Sequence, residues 1–330
     1  VSTSVADWLV AQAPEGVARN AQYGTDDFGL SADIGIALAE VGGYDEEIST
    51  IAAAVMENKK AYTSPGFGTV TSAGATAKAL VLQQNVDASD PGLLKQLEGT
   101  VAENGRIADK LDPKNKEAAD YSNTIGQSYA VWALNNAESK EAAAATEFLA
   151  GQQCEEGWFR VTFAADPAAA GSTASGSASA GQTCDADPKA VPDADATAFA
   201  LIALSGVASP EAEKAVEAGV EWLKETQAKD GSFKAATGNI ANSNTTGLAG
   251  WAFGRAGETA AAEKAATWVA DHVVTCGDDA GAVAYDDAAL TEANTKGLTK
   301  ESEGMYRLAA AQALPSLVFL PKDATAKSSC

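Results

Sequence analysis

A pattern of one helical segment, a loop and a second helical segment recurs six times along the 330 residues of the chain. One such pair cannot bury its apolar faces alone, so repeated pairs must stack on one another. Six stacked pairs can close into a ring. The repeat therefore predicts an all-α fold, in which residues 1–330 form a single domain of six inner helices surrounded by six outer helices.

The two segments of each pair differ in composition, and this difference predicts which of them lies inside the ring. The second segments are rich in small and apolar residues, whereas the first segments carry more charge. The predicted inner helices are Ser31–Val41, Ser72–Gln84, Ser122–Asn135, Asp195–Leu204, Ser243–Arg255 and Ser302–Leu314. The predicted outer helices are Ser4–Gln12, Tyr44–Asn58, Asp90–Glu103, Ser139–Gln153, Ser209–Gln227 and Glu258–Val274.

A serine recurs at or just before the start of most second segments. A serine side chain at this place can accept a hydrogen bond from a free backbone N–H of the first helical turn. We therefore expect these residues to act as helix caps: Ser31, Ser72, Ser122, Ser243 and Ser302.

The formal net charge of −22 limits the partners of the chain. A field of this sign repels nucleic-acid phosphates and anionic lipid surfaces, so neither is an expected partner. The sequence has no apolar run of 18 residues, which predicts no membrane span within it. We expect a removed signal peptide and an extracellular or cell-wall location. Whether an anchor follows Cys330 is left open.

The four cysteines allow three disulfide pairings. We predict Cys154–Cys184 and Cys276–Cys330, which close local loops, and both require an oxidising compartment. The first would staple a Gly/Ser/Ala-rich insert at about 162–192 and contribute about 3 kcal/mol. Within this insert, 171–180 is predicted to be the most mobile stretch. There is no C-x-x-C pair and only one histidine, so we predict no metal site and no cofactor.

Two segments carry a resemblance to a known superfamily. They are Glu221-Trp-Leu followed by Gln227-Ala-Lys-Asp-Gly-Ser-Phe233, and Gln152-Gln-Cys-Glu-Glu-Gly-Trp158. Both are similar to the repeat of squalene cyclases, in which a glutamine precedes Gly-x-aromatic. The resemblance to the terpenoid cyclase and protein prenyltransferase superfamily implies an (α/α)6 toroid. It also implies that the glutamine bonds helix ends and that the aromatic residue packs on a neighbouring helix.

The segment Asp193-Ala-Asp195-Ala-Thr197-Ala resembles the acid motif of class II terpene cyclases, Asp-x-Asp-Asp followed by Thr-Ala. In that family the middle aspartic acid protonates an alkene or epoxide, and the adjacent aspartate helps to set its protonation state. Asp195 matches the proton donor, but Ala196 replaces its neighbour. The device is therefore incomplete, and we expect Asp193 or Asp195 to cap the fourth inner helix.

These observations favour a secreted or cell-surface binding protein over an enzyme. The N-termini of the inner helices would meet at one rim, where their N–H groups can bind a ligand. The expected partner is a small molecule, a glycan or a surface protein. The candidate ligand-binding residues are Asp27, Phe28, Asp33, Asn123, Trp158, Asn244, Glu303, Tyr306 and Arg307, and Asp193 and Asp195 are the catalytic candidates.

The alternative is a terpene-cyclase-like or saccharide-acting enzyme that uses carboxylates at this rim. Asp33 paired with Asp195 or Glu303 would then serve as acid and base. A carboxylate buried beside aromatic side chains would favour the enzyme, whereas a shallow polar rim would favour the binding protein.

Overall fold

The computed structural model describes residues 1–20, 22–86, 90–163, 184–186 and 190–327. The chain packs as two compact units, one made of Val1–Glu57 with Thr226–Cys330 and the other of Asn58–Glu225. The α-helices, in chain order, are α1 (Ser2–Gln12), α2 (Phe28–Val41), α3 (Asp45–Glu57), α4 (Lys59–Thr63), α5 (Pro65–Gly68), α6 (Ala73–Gln83), α7 (Pro91–Glu98), α8 (Thr124–Asn136), α9 (Ala142–Gly151), α10 (Ala194–Leu204), α11 (Pro210–Thr226), α12 (Ser243–Arg255), α13 (Thr259–Ala270), α14 (Asp287–Lys296) and α15 (Glu303–Ala313).

The few strands are short and lie in the loops. In the first unit, β1 (Ala18–Asn20) and β2 (Thr25–Asp27) form an antiparallel hairpin that leads into α2. In the second unit, β3 (Val70–Thr71) pairs with β4 (Lys110–Leu111). Among the described residues, no helix is long and apolar enough to cross a membrane.

All twelve helices predicted from the repeat are present, with ends shifted by a few residues. The third outer helix, α7, stops at Glu98 because Gly99 follows and because the Leu97 carbonyl accepts bonds from both the backbone and the hydroxyl of Thr100. The short helices α4, α5 and α14 were not predicted. Most residues of α6, α8, α10 and α12 are buried, and in α10 Asp195 is the one residue that is not.

The capping residues differ from the serines predicted. Ser72 caps α6, but Asp27, Asn123, Asp193 and Asn242 cap α2, α8, α10 and α12. Each of these side chains accepts a bond from the backbone N–H three residues later. The prediction for Ser31, Ser122 and Ser243 was wrong because a better acceptor lies nearby in sequence, and Ser302 precedes α15 without a side-chain cap bond.

Five glycines in the left-handed region form turns that follow outer helices. They are Gly16, Gly105, Gly157, Gly231 and Gly281, with φ between +82° and +103°. A Cβ atom at any of them would lie 1.9–2.5 Å from a backbone carbonyl oxygen of another outer helix in the same unit. The carbonyls belong to Thr50, Ala144, Ala218, Lys264 and Ser4 respectively. Glycine is required at each turn both for its conformation and for this close approach.

The residue two places after each of these glycines is buried: Ala18, Ile107, Phe159, Phe233 and Val283. In four of the five copies its backbone N–H donates to a side chain of an inner helix at 2.8–2.9 Å, and the acceptors are Ser31, Gln127, Thr197 and Thr246. Each acceptor stands four residues after the N-cap of its helix. The glycine turns therefore tie outer helices to inner ones.

The glutamines of the squalene-cyclase-like motif follow the ends of outer helices, and each bonds a glycine turn to the next outer helix. Gln153 Nε2 donates to the carbonyls of Gly157 and Ala215, both at 2.8 Å. Gln227 Nε2 donates in the same way to Gly231 and Ala261, both at 3.1 Å. The same spacing occurs a third time at Gln12 and Gly16, and sequence reasoning missed this copy.

The predicted Cys154–Cys184 disulfide is present, with the two Cα atoms 4.9 Å apart. Trp158 packs against it in a small buried cluster. Cys330 lies outside the described residues, so the Cys276–Cys330 pairing stays a prediction. The stretch 171–180 of the insert also lies outside them.

A buried ion pair orders the loop between α7 and α8 in the second unit. Arg106 Nη2 lies 2.8 Å from Asp120 Oδ2, and the two side chains are only 3% and 12% exposed. Burial raises the pKa of Asp120, but hydrogen bonds from Ser122, from the Asp109 backbone and from Arg106 outweigh it, so that the pKa is lowered overall. Asp109 extends the network by accepting from the first N–H of α6.

We expect Arg106→Ala to lower the free energy of unfolding by about 3–5 kcal/mol, because it leaves Asp120 charged, buried and without its cation. Urea denaturation at pH 7 measures this. The control is Arg19→Ala, which breaks an exposed pair with Asp26 and should cost under about 1 kcal/mol. The pKa of Asp120 is lowered in the folded protein, so its charge adds to stability only at pH values where the carboxylate is ionised. The loss of stability in Arg106→Ala should therefore become smaller as the pH falls below 3.8, the ordinary pKa of this side chain. Equal effects of the two variants would contradict this account.

Candidate functional site

The predicted site residues of the first unit lie on α2, α12 and α15. Asp27 caps α2 by accepting from the Leu30 N–H at 2.9 Å, and Phe28 is the first residue of the helix. Asp33 lies on α2 and is partly exposed. The Asp27 carboxylate therefore has a structural task at the start of this helix.

Arg307 and Glu303 are brought together on successive turns of α15 and form an ion pair. The guanidinium of Arg307 also donates to Gln12 Oε1 at 2.9 Å and to the Arg19 carbonyl. It is 8% exposed. These bonds fix α15 to α1 and β1, so the cation serves the packing of the unit.

Tyr306, the neighbour of Arg307, is buried and donates from its hydroxyl to the Ala289 carbonyl of α14 at 2.7 Å. Burial raises the pKa of Tyr306, and the charges of Glu292, Asp286 and Asp279 raise it further. The phenol therefore stays protonated at neutral pH and acts as a fixed donor between α15 and α14.

In the second unit, two of the predicted ligand contacts also hold structural positions. Asn123 caps α8 by accepting from the Gly126 N–H at 3.0 Å. Trp158 is buried against the disulfide and donates from Nε1 to Glu156 at 3.0 Å. The loop after Trp158 continues over the start of α8, where the Thr124 N–H donates to the Val161 carbonyl at 2.9 Å.

The acid-like motif, residues 193–198, lies at the start of α10. Asp193 accepts from the Ala196 N–H at 2.8 Å, so Asp193 and not Asp195 is the N-cap. The Thr197 hydroxyl donates to the Asp193 carbonyl at 2.7 Å and accepts from the buried Phe159 N–H at 2.9 Å. Asp195 lies in the first turn, partly exposed.

The hydrogen-bonding roles of Asp193 and Thr197 recur at the same places in other repeats. The pairs of N-cap and fourth following residue are Asp27 with Ser31, Asn123 with Gln127, Asp193 with Thr197 and Asn242 with Thr246. Asp193 and Thr197 are therefore accounted for by the repeat. The residue two places after the N-cap, in contrast, has no common role: it is Gly29, Ile125, Asp195 or Asn244.

A stripe of α15 in the first unit remains open although the helix is otherwise largely buried. Met305 and Leu308 are 44% and 40% exposed, and Gln312 follows on the same helical face. Gln312 Oε1 accepts from Asn244 Nδ2 of α12 at 2.7 Å. The Asn244 Oδ1 atom is buried and has no hydrogen-bond partner among the described residues. The stripe thus combines apolar side chains with an amide pair.

The inner helices of the second unit place a cation beside aromatic rings. Lys78 Nζ of α6 lies 5.4 Å from the ring centroid of Tyr129 on α8. The Tyr129 ring lies 5.5 Å from that of Phe199 on α10, and Phe199 follows Asp195 by four residues on the same helical face. Trp132, one turn further along α8, is partly exposed.

Sequence reasoning missed both clusters. A lysine in the middle of Ala-Thr-Ala-Lys78-Ala-Leu and an exposed Met-x-x-Leu on α15 were available signals, but neither could be assigned to an open or a packed face.

The described residues also bring Cys154, Cys184 and Asp185 together. The two sulfur atoms are bonded to each other, so this group offers no thiolates to a metal.

Solved structures are similar to the chain over nearly its whole length. The type II terpene cyclase MstE from Scytonema, in its apo form, matches with a TM-score of 0.66, 16% sequence identity and 96% of both chains covered. A protein from Actinoplanes matches with a TM-score of 0.63 and 14% identity, covering 97% of this chain and 99% of that one. The fold is the α/α toroid. The predicted fold class is therefore confirmed.

Haptocorrin in complex with Cbi is also similar, with a TM-score of 0.50 and 14% identity, covering 99% of this chain and 69% of that one. The α/α toroid is thus shared by terpene cyclases and by a binding protein. At these identities the similarity shows the fold alone. No protein-family model and no curated protein sequence matches the chain.

We expect Asp193→Ala to lower the free energy of unfolding by about 0.5–2 kcal/mol, the cost of a lost N-cap. Asp193→Asn should be close to neutral, because Asn123 and Asn242 cap α8 and α12 in the same way. Asp195→Asn should cost under about 1 kcal/mol, because it keeps the shape of the side chain and removes a charge near a helix N-terminus. Thermal melts of the three variants measure this order. A larger loss for Asp195→Asn than for Asp193→Ala would contradict the assignment of the cap.

Proposed function

We propose that this chain is a binding protein for a small, largely apolar molecule and not a cyclase. The observation that carries the proposal is the placement of Asp193 and Thr197 in the structural bonds that other repeats also make. What remains of the acid-like motif is Asp195, with Ala196 where the resemblance implies an activating aspartate. A proton donor to an alkene needs strong activation, and this segment lacks the residue that supplies it.

Apolar and aromatic side chains on largely buried helices support a small apolar ligand over a glycan or a surface protein. Met305 and Leu308 are exposed on α15 in the first unit. In the second unit, the partly exposed Lys78 lies beside the buried ring of Tyr129, and that ring packs at a tilt against the buried ring of Phe199. Small-molecule sites combine such apolar and aromatic surfaces with a few polar groups that orient the ligand.

We also propose an extracellular or cell-wall location. The Cys154–Cys184 disulfide supports it, because such bonds persist in oxidising compartments and are rare in the cytosol. The negative charge is compatible with a soluble protein in either compartment.

The second candidate is a terpene cyclase, and one observation favours it. Asp195 shares a helical face with Phe199, which lies beside Tyr129, so that a carboxylate and aromatic rings occur together. Aromatic faces stabilise cations. The cyclase MstE has been solved in complexes with geranylgeranyl dihydroxybenzoate as substrate and merosterolic acid A as product.

To distinguish the binding protein from the cyclase, the purified protein is incubated with geranylgeranyl dihydroxybenzoate and, in parallel, with cobinamide. We expect saturable quenching of tryptophan fluorescence by at least one of them, with no new compound detected by liquid chromatography and mass spectrometry. Phe199→Ala should weaken the binding of a prenyl ligand, because it removes a buried apolar ring that packs against Tyr129 next to Lys78. Arg19→Ala, in an exposed ion pair, is the control and should bind as the wild type does.

Formation of a cyclised product that Asp195→Asn abolishes, with an unchanged melting curve, would overturn the binding-protein proposal in favour of the cyclase. Absence of saturable binding by both ligands would contradict a binding site of the kind found in either neighbour.

A further inference from the structure

The single histidine of the chain is buried at the end of an outer helix of the first unit. His272 follows α13 and is 4% exposed. Its ring stacks on that of Trp268 with the centroids 3.7 Å apart, and its Nδ1 lies 2.9 Å from the Trp268 carbonyl oxygen. A carbonyl accepts and cannot donate, so Nδ1 carries the proton in this bond. The other nitrogen, Nε2, is therefore the one that gains or loses a proton.

Nε2 of His272 faces one carboxylate at close range. It is buried and makes no aligned hydrogen bond among the described residues, and Asp287 Oδ1 lies 3.2 Å away. Asp287 is the first residue of α14, and its side chain is otherwise exposed. With neutral imidazole, a nitrogen lone pair faces the carboxylate. With imidazolium, the same contact becomes an ion pair.

The segment that begins before Asp287 is bonded to three other elements of the unit. The Ala284 N–H donates to the His272 carbonyl at 2.9 Å, and the Ser243 N–H at the start of α12 donates to the Tyr285 carbonyl at 2.8 Å. The Tyr306 hydroxyl of α15 donates to the Ala289 carbonyl of α14. A contact that fixes the position of α14 therefore also stabilises the bonds from this segment to the starts of α12 and α15.

The other acids near His272 have hydrogen-bond or ion-pair partners of their own, although the charge of His272 also contributes to lowering the pKa of Asp230. Asp286 caps α14 through the Ala289 N–H at 2.9 Å. Asp230 accepts from the backbone and the hydroxyl of Ser232, at 3.1 Å and 2.7 Å. Asp271 pairs with Lys327. Within the described part of the unit, Asp287 is thus the carboxylate at ion-pair distance from the ring.

We propose that His272 and Asp287 form a proton-dependent latch, which holds α14 against α12 and α15 when the imidazole is protonated and loosens when it is neutral. Histidine is a common proton-dependent switch in proteins, because it is the side chain whose charge most readily changes near neutral pH. The proposal concerns the mobility of 284–296 and does not depend on the identity of any ligand.

Hydrogen–deuterium exchange of the whole protein, followed by mass spectrometry of peptides covering 284–296, tests the latch without a ligand. After correction for intrinsic exchange rates, we expect protection to be about two- to fivefold higher at pH 5.5 than at pH 8.0, the range for an ion pair with one exposed partner. His272→Gln and Asp287→Asn should both bring this ratio to one.

The matched control is Asp278→Asn, which removes an exposed acid from the short helical turn that precedes the segment and should keep the wild-type ratio. If His272→Gln does not fold, Asp287→Asn decides the question, because its side chain is exposed. A ratio of one in the wild type, or an unchanged ratio in Asp287→Asn, would overturn the proposal.

Discussion

The bond between a buried backbone N–H and a side chain of an inner helix is the interaction on which the rest of the structure depends. The N–H follows a left-handed glycine turn by two residues, and its acceptor follows the N-cap of the inner helix by four. A buried N–H without an acceptor costs about 1–3 kcal/mol, so each copy constrains the sequence at both ends. Since the same glycine touches a carbonyl of another outer helix, one turn fixes both outer and inner neighbours.

This arrangement changes how the Asp193–Thr197 segment is understood. The resemblance of this segment to a catalytic motif suggests a catalytic role. However, Asp193 and Thr197, two of its three polar residues, have counterparts in repeats that do not resemble that motif. The position of Asp195 holds Gly29, Ile125 and Asn244 in the other copies, so the repeat does not require a carboxylate there. The inner helices offer aromatic and apolar contacts near it, which suit a ligand without supplying the missing activating group.

The helix pairs, their inner and outer assignment and one disulfide could be predicted because burial periodicity and local loop closure are encoded in neighbouring residues. The caps Ser72 and Asp193 were predicted correctly, but Ser31 was not, because serine near the start of a helix suits both the N-cap and the fourth position after it, and only the backbone path distinguishes Ser31 from Asp27. Tyr306 and Arg307 were predicted to contact ligand, yet they bond α14, α1 and β1. Conversely, Lys78 and Met305 were missed, because exposure on a mostly buried helix depends on tertiary packing.

Hydrogen exchange at the Phe159 amide tests most directly whether the motif is a structural copy of the repeat. We expect Thr197→Val, which keeps the side-chain volume but removes the acceptor, to accelerate exchange of this amide by tenfold or more, since about 1.4 kcal/mol corresponds to a factor of ten. Thr197→Ser, which restores the hydroxyl found at Ser31, should stay within about threefold of the wild type. Unchanged exchange in Thr197→Val would contradict the account and return the whole segment to consideration as a catalytic motif.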